Sequence, residues 1–217
     1  MLNVTARQEL MSTIVEILGV VVEEARLDFG EDGLAVRVVD PSHVAMIKMD
    51  VDSAAFDTWE VDETKLGLEM RKMNQFISVG AAGDMVELTY SEDSGQATIL
   101  IGRIELNLRP LDNSTLNPPN VPSLDLPCGV TISGTELSQA LRASRLAGDL
   151  VNLSLTDSTF TVDVKGPTDS IKLDFTADDL MAIDCKEPAR SQYSLTYLTP
   201  LAKIFQKIDN VNLRFGE

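Results

Sequence analysis

The chain has 217 residues, 44% of them hydrophobic, and a formal net charge of −16 at pH 7. This length buries one large core or two modest ones, which excludes a disordered segment and a stapled mini-protein. The only cysteines, Cys128 and Cys185, are distant in sequence and in no CxxC pattern, so the reading is two free thiols rather than a disulfide framework or a zinc site.

No apolar run is long enough to cross a bilayer, and the opening Met1-Leu2-Asn3-Val4-Thr5 lacks the basic and apolar regions of a secretory signal. The expectation is an intracellular chain without a membrane partner. Along the chain, a first helical stretch covers residues 6–18, with Thr5 and Gln8 spaced as a capping box and Leu10, Met11, Ile14, Val15 and Leu18 on one face. Strand-like runs follow at 25–29, 34–39 and 44–51, separated by turns such as Gly30-Glu31-Asp32-Gly33. A second helix is expected over 69–79, burying Met73, Phe76 and Ile77, and further strands at 85–90, 97–101 and 104–108.

Residues 109–122 carry four prolines, which withhold backbone donors and favour extended chain, so the segment reads as a linker. Its apolar residues, Leu111, Leu116 and Val121, are candidates to hold it against a surface. Beyond it, Ser133 and Glu136 form a second capping-box pattern ahead of Leu137, Ala140 and Leu141. Strands are expected at 150–155, 159–164, 170–175, 180–185, 192–196 and 211–215. A fourth helix is placed with Thr199 as N-cap and Pro200 at its first position, followed by Leu201, Ile204, Phe205 and Ile208 at helical spacing. Each half therefore reads helix, strands, helix, strands. This is an internal repeat of roughly 125 residues detected by pattern rather than identity.

Charge is divided between these elements. The four helices hold Arg7, Arg71, Lys72, Arg142, Arg145, Lys203 and Lys207, whereas only Glu9, Glu16, Glu69 and Glu136 of the acidic residues fall in them. On the second helix Arg71, Lys72, Gln75 and Ser78 share the polar face; Ser138, Arg142 and Arg145 do so on the third, and Lys203, Gln206 and Lys207 on the fourth. Solvated polar faces are one account. Basic faces on three of four helices in so acidic a chain favour a shared positive surface that meets nucleic-acid phosphates without reading bases. No aromatic ladder accompanies them, so stacking of single-stranded bases is not indicated.

Catalytic patterns are missing: there is no HExxH, no GxSxG, no cysteine and histidine cluster and no GxxxxGK[ST] loop. His43 is the only histidine. The reading is a chain with no enzymatic activity, no cofactor and no metal.

Local strings then point to a family. The segment from Leu34 to Met46, with Asp40-Pro41-Ser42-His43-Val44, resembles the first-domain signature of DNA sliding clamps of the proliferating cell nuclear antigen (PCNA) type. Arg109-Pro110-Leu111-Asp112 resembles the start of that family's interdomain connector, and Ala147-Gly148-Asp149-Leu150-Val151, Ile171-Lys172-Leu173 and Tyr193-Ser194-Leu195-Thr196-Tyr197-Leu198 resemble second-domain positions. The resemblance implies an α+β fold of two repeated clamp domains, residues 1–108 and 127–217, joined by a connector over 109–126. Antiparallel sheets would lie outside and two helices per domain would line a ring interior.

It further implies a homotrimer around double-stranded DNA that tethers the replicative polymerase, with a clamp loader, flap endonuclease and ligase as other partners through short peptide motifs. A subunit of a heterotrimeric or checkpoint-type ring is the alternative. By this resemblance Arg7, Arg71, Lys72, Arg142, Arg145, Lys203 and Lys207 face DNA. Val39, His43, Val44, Leu116 and Pro118 take client peptides. An edge strand around residues 99–106, with Ile99, Ile101, Ile104 and Leu106, pairs with a neighbour's edge at Ile171 and Leu173. The compartment would be the cytoplasm or nucleoid in an archaeon and the nucleus in a eukaryote. The family also continues for several strands beyond the position of Glu217, so the second domain is expected to be less stable and client peptides to bind weakly.

Overall fold

The computed structural model describes residues 1–216, which form two units that divide between Val121 and Pro122. In the first, β1 (Leu2–Arg7) leads into α1 (Gln8–Gly19), β2 (Glu24–Gly30), β3 (Gly33–Val39), β4 (Met46–Asp52), β5 (Thr58–Val61), β6 (Thr64–Glu69), α2 (Met70–Ile77), β7 (Met85–Ser91), β8 (Gln96–Ile101) and β9 (Ile104–Leu108). In the second, β10 (Cys128–Ser133) leads into α3 (Gly134–Ser144), β11 (Leu150–Leu155), β12 (Thr159–Lys165), β13 (Ser170–Thr176), β14 (Ala182–Cys185), β15 (Ala189–Ser194), α4 (Leu195–Phe205) and β16 (Asn210–Phe215).

Sheet order makes the repeat explicit. The first unit has sheets β4-β3-β2-β6 and β5-β1-β7-β8-β9; the second has β13-β12-β11-β15 and β14-β10-β16. The permutation is the same, except that the second unit has three strands where the first has five. The α+β reading is correct, all strand pairs being antiparallel.

Each core follows from period-2 alternation. Leu2, Val4 and Ala6 of β1 turn inward with Val86 and Leu88 of β7, and Met11, Ile14, Val15 and Leu18 of α1 and Met73 and Ile77 of α2 meet the same interior. In the second unit Val130, Ile132, Val151, Phe160 and Val162 enclose Leu137, Ala140 and Leu141 of α3. Phe160 is fully buried between Phe175 and Phe215, at centroid distances of 5.9 and 6.2 Å.

The third helix starts at Ser133 as expected, whereas the Thr5 and Thr199 N-caps and the two side-chain capping boxes differ from the sequence reading. The first N–H of every helix donates to a backbone carbonyl remote in sequence: Gln8 to Asp84 (2.8 Å), Met70 to Glu23 (2.8 Å), Gly134 to Asp209 (3.3 Å) and Leu195 to Asp149 (2.8 Å). The pattern repeats between units, since Asp84 and Asp209 precede β7 and β16 while Glu23 and Asp149 precede β2 and β11. These tertiary bonds satisfy an orphan donor of each first turn, so side-chain boxes are not required there. Accordingly Thr5 lies in β1 opposite Glu87, and neither Arg7 nor Ser133, the actual N-cap residues, caps α1 or α3 through its side chain. The fourth helix begins earlier than Thr199, because Ser194 accepts the Thr196 N–H at 3.2 Å and starts the turn there. Pro200 then lies inside α4 on its exposed side, and Thr196, whose carbonyl its missing N–H leaves without that helical bond, is exposed as well.

Candidate nucleic-acid and partner surfaces

The basic residues divide into two groups. Arg71 and Lys72 on α2, Arg142 on α3 and Lys203 on α4 are exposed, on the sides of their helices away from Met73, Leu137 and Ile204. None of the four joins an ion pair among the described residues. The others sit at helix ends rather than on helix faces: Arg7 precedes α1, Arg145 is the C-cap of α3 and Lys207 follows α4. Arg145 is paired with Asp149, which neutralises part of its field. Ser138 departs from the expected polar face; it is buried within α3's packed side, and its hydroxyl has no partner among the described residues. Within each unit the two helices pack on each other, α1 on α2 and α3 on α4.

The segment after β9 folds back on the first unit. The Leu111 N–H donates to the Gly67 carbonyl at 2.8 Å, and the Asn113 side-chain amide donates to the Lys65 carbonyl at 2.7 Å, so the connector covers the open side of β6. Asp112 fixes its first turn: its carboxylate accepts the Ser114 N–H at 2.9 Å, and that bond holds its pKa below the usual carboxylate value. A shallow groove runs between this connector and β2–β3, lined by Val39, Leu116 and Pro118 together with Arg26, Arg37 and Pro119.

Three of the five residues expected to take client peptides are thus brought together. His43 and Val44 are not among the groove's lining; they sit exposed in the turn after β3. That turn is built by Asp40, whose buried carboxylate accepts the N–H groups of Ser42, Val44 and Ala45 at 3.0, 2.6 and 2.7 Å. His43 adopts φ 56°, and the turn aims its side chain to solvent. Arg26 and Arg37 were missed because they look like ordinary outward positions of alternating strands. Arg26 is held by Asp28 at 2.7 Å.

Gly67 is the residue that lets the connector lie so close. A Cβ there would meet Leu116 Cδ1 at 2.8 Å and Leu111 Cβ and O at 3.0 Å. Gly67→Val is therefore expected to lift the connector, increasing proteolytic nicking between Arg109 and Val121 several-fold while the core of the first unit stays folded by circular dichroism.

The edge-strand expectation needs correction. Strand β8 is interior to its sheet, bonded to β7 and β9, and Ile99 and Ile101 are buried in the first core. Their side chains hold the monomer together and are not available to a neighbour. Of these strands it is β9 that lies at an edge of the sheet, with Ile104 47% exposed and Leu106 half-buried. In the second unit β13 is likewise an edge, and Ile171 and Leu173 are half-buried against the core beneath it.

Paired helices beside antiparallel sheets, repeated with one strand permutation, define the class of DNA-clamp domains. Residues 1–109 match the family model "Proliferating cell nuclear antigen, N-terminal domain". The chain is 32% identical to the DNA polymerase sliding clamp of Methanosarcina barkeri, over 100% of this chain and 89% of that one, and 33% identical to that of Methanococcoides burtonii, over 100% and 88%. Among solved structures it is similar to A. fulgidus PCNA bound to the C-terminal region of FEN-1, with a TM-score of 0.93, 28% identity and coverage of 100% of this chain and 88% of that one. The fold also matches PCNA from Thermococcus kodakaraensis, with a TM-score of 0.88. The chain belongs to the PCNA family of DNA polymerase sliding clamps, which are processivity factors without catalysis of their own.

Proposed function

We propose that three copies of this chain close into a ring around double-stranded DNA, with β9 of one copy adding to β13 of the next. Two edge strands with unpaired outer backbone are otherwise an aggregation hazard, and head-to-tail pairing that closes removes both. In such a ring Arg71, Lys72, Arg142 and Lys203 face the duplex, supported by Arg7, Arg145 and Lys207 at the helix ends. The observation that carries this reading is four exposed basic side chains on three helices, none in an ion pair among the described residues, in a chain with net charge −16. Phosphate contacts of this kind are sequence-independent and weak, which suits sliding.

The polymerase, and a flap endonuclease such as the one whose C-terminal region A. fulgidus PCNA binds, would dock short peptides in the connector groove at Val39, Leu116 and Pro118, with His43 and Val44 on the neighbouring turn. A clamp loader and ligase complete the expected partners, all inside the cell where the chromosome is.

The ring is tested by light scattering coupled to size exclusion, where a mass of three chains is expected and a strict monomer at all concentrations refutes it. DNA contact is tested by charge reversal. Arg71→Glu with Lys72→Glu should flatten the dependence of log K on log salt by about 0.9 per lost phosphate contact, leaving the assembly's mass unchanged.

A further inference from the structure

Cys128 and Cys185, the only cysteines of the chain, are register partners on adjacent antiparallel strands β10 and β14. The next pair outward, Pro127 and Lys186, is joined by the Lys186 N–H donating to the Pro127 carbonyl at 3.0 Å. Because hydrogen-bonded and non-bonded pairs alternate along such a ladder, Cys128 and Cys185 occupy a non-bonded pair, where Cα atoms approach to about 4.5 Å and side chains are closest. That separation falls inside the range of about 4.4–6.8 Å that a disulfide spans.

The internal repeat shows that packing does not ask for sulfur here. In the first unit the matching register pair is Leu2 and Val61, and the third strand places Tyr90 where the second unit has Phe215. An apolar pair fills the same position in one copy of the fold, and two thiols fill it in the other.

We propose that Cys128 and Cys185 form a redox-active dithiol, oxidised to an intramolecular cross-strand disulfide by low-molecular-weight disulfides. Cys128 is buried and its thiol donates to the Glu187 carbonyl at 3.4 Å, whereas Cys185 is half-buried and is the entry point. The Cys185 thiolate attacks one sulfur of the small disulfide, forming a mixed disulfide and releasing one small thiolate. The Cys128 thiolate then attacks the Cys185 sulfur and expels the second. Two electrons pass from the protein to the small disulfide, and the two protons leave on the released thiols.

The groups facing Cys185 are Cys128 and Asp157; burial, with both of these, raises its pKa. Lys186 does not offset them, since it pairs with Asp125 at 3.2 Å. Oxidation is accordingly slow at neutral pH and accelerates as pH rises. The product ties β14, which among the described residues is an edge strand bonded to β10, to the centre of its sheet.

The test treats the full chain, at its native oligomeric size, with 2-hydroxyethyl disulfide. Expected are loss of both titratable thiols, an intact mass lower by two hydrogens, and a linked Cys128–Cys185 peptide on non-reducing digestion. The thermal midpoint of the second unit should rise by several degrees and return on reduction. Cys128→Ser should stop at a mixed disulfide on Cys185. Two unreacted thiols in folded wild type, a persistent mixed adduct at Cys185, or a bond between copies would each overturn the proposal, and all three are read on wild type without any variant.

Discussion

Replacing Gly134 by alanine is expected to destabilise the second unit by about 3 kcal/mol or more, a large effect for one added methyl group. Gly134 is the first residue of α3, and a Cβ on it would fall 2.0 Å from the Phe205 carbonyl oxygen and 2.2 Å from that of Ile208. Both obstacles are backbone, at the last residue of α4 and in the turn that follows it, so neither can swing aside as a side chain would. Relief requires α3 and α4 to separate, which also strains the Gly134 N–H bond to Asp209. Urea unfolding followed by circular dichroism checks this, and an unchanged midpoint would mean that the helices are not in contact there. On the DNA contacts proposed for Arg142 and Lys203 of these two helices, the same variant should weaken DNA retention even at temperatures where it stays folded.

Phe160→Ala is the second large effect, with an expected cost of about 3–5 kcal/mol. Its ring is fully buried and touches Phe175 and Phe215, so truncation leaves a void that three strands of two sheets would have to collapse to fill. The loss should be confined to the second unit. Trp59, the single tryptophan, reports the first: it packs at 4.5 Å from Phe56, and its indole N–H donates to the Gly30 carbonyl at 3.0 Å. In the variant, far-UV circular dichroism should lose amplitude at lower denaturant than Trp59 fluorescence changes. A common, equally lowered midpoint would show that the two units unfold as one.

Most strands were legible in the sequence, and the exceptions are instructive. β1, β5, β6 and β10 were not anticipated. β1 and β10 run directly into helices, so their alternating residues read as helix approach or linker end, and β5 is four residues long with Trp59 and Glu60 at its centre. The connector's contact was foreshadowed by Leu111 and Leu116, but the partner was Gly67, a residue with no side chain to signal it. Exposed basic helix faces were readable from spacing for Arg71, Lys72, Arg142 and Lys203. Arg145's pairing with Asp149 depends on the chain leaving α3 at Arg145, although the two stand four apart.

Hydrophobic periodicity by itself determined the repeated α+β architecture, the helices' buried faces and the placement of basic residues on their opposite sides, because these depend only on spacing along a regular element. Tertiary structure decided which helix starts do without side-chain boxes, which strands are edges, and which distant residues meet. A remote carbonyl outranks a local capping box, Ile99 and Ile101 are interior because β9 adds outside them, and Cys128 meets Cys185 across a ladder. Each of these turns on hydrogen-bond pairing between segments far apart in the chain, which local spacing does not encode.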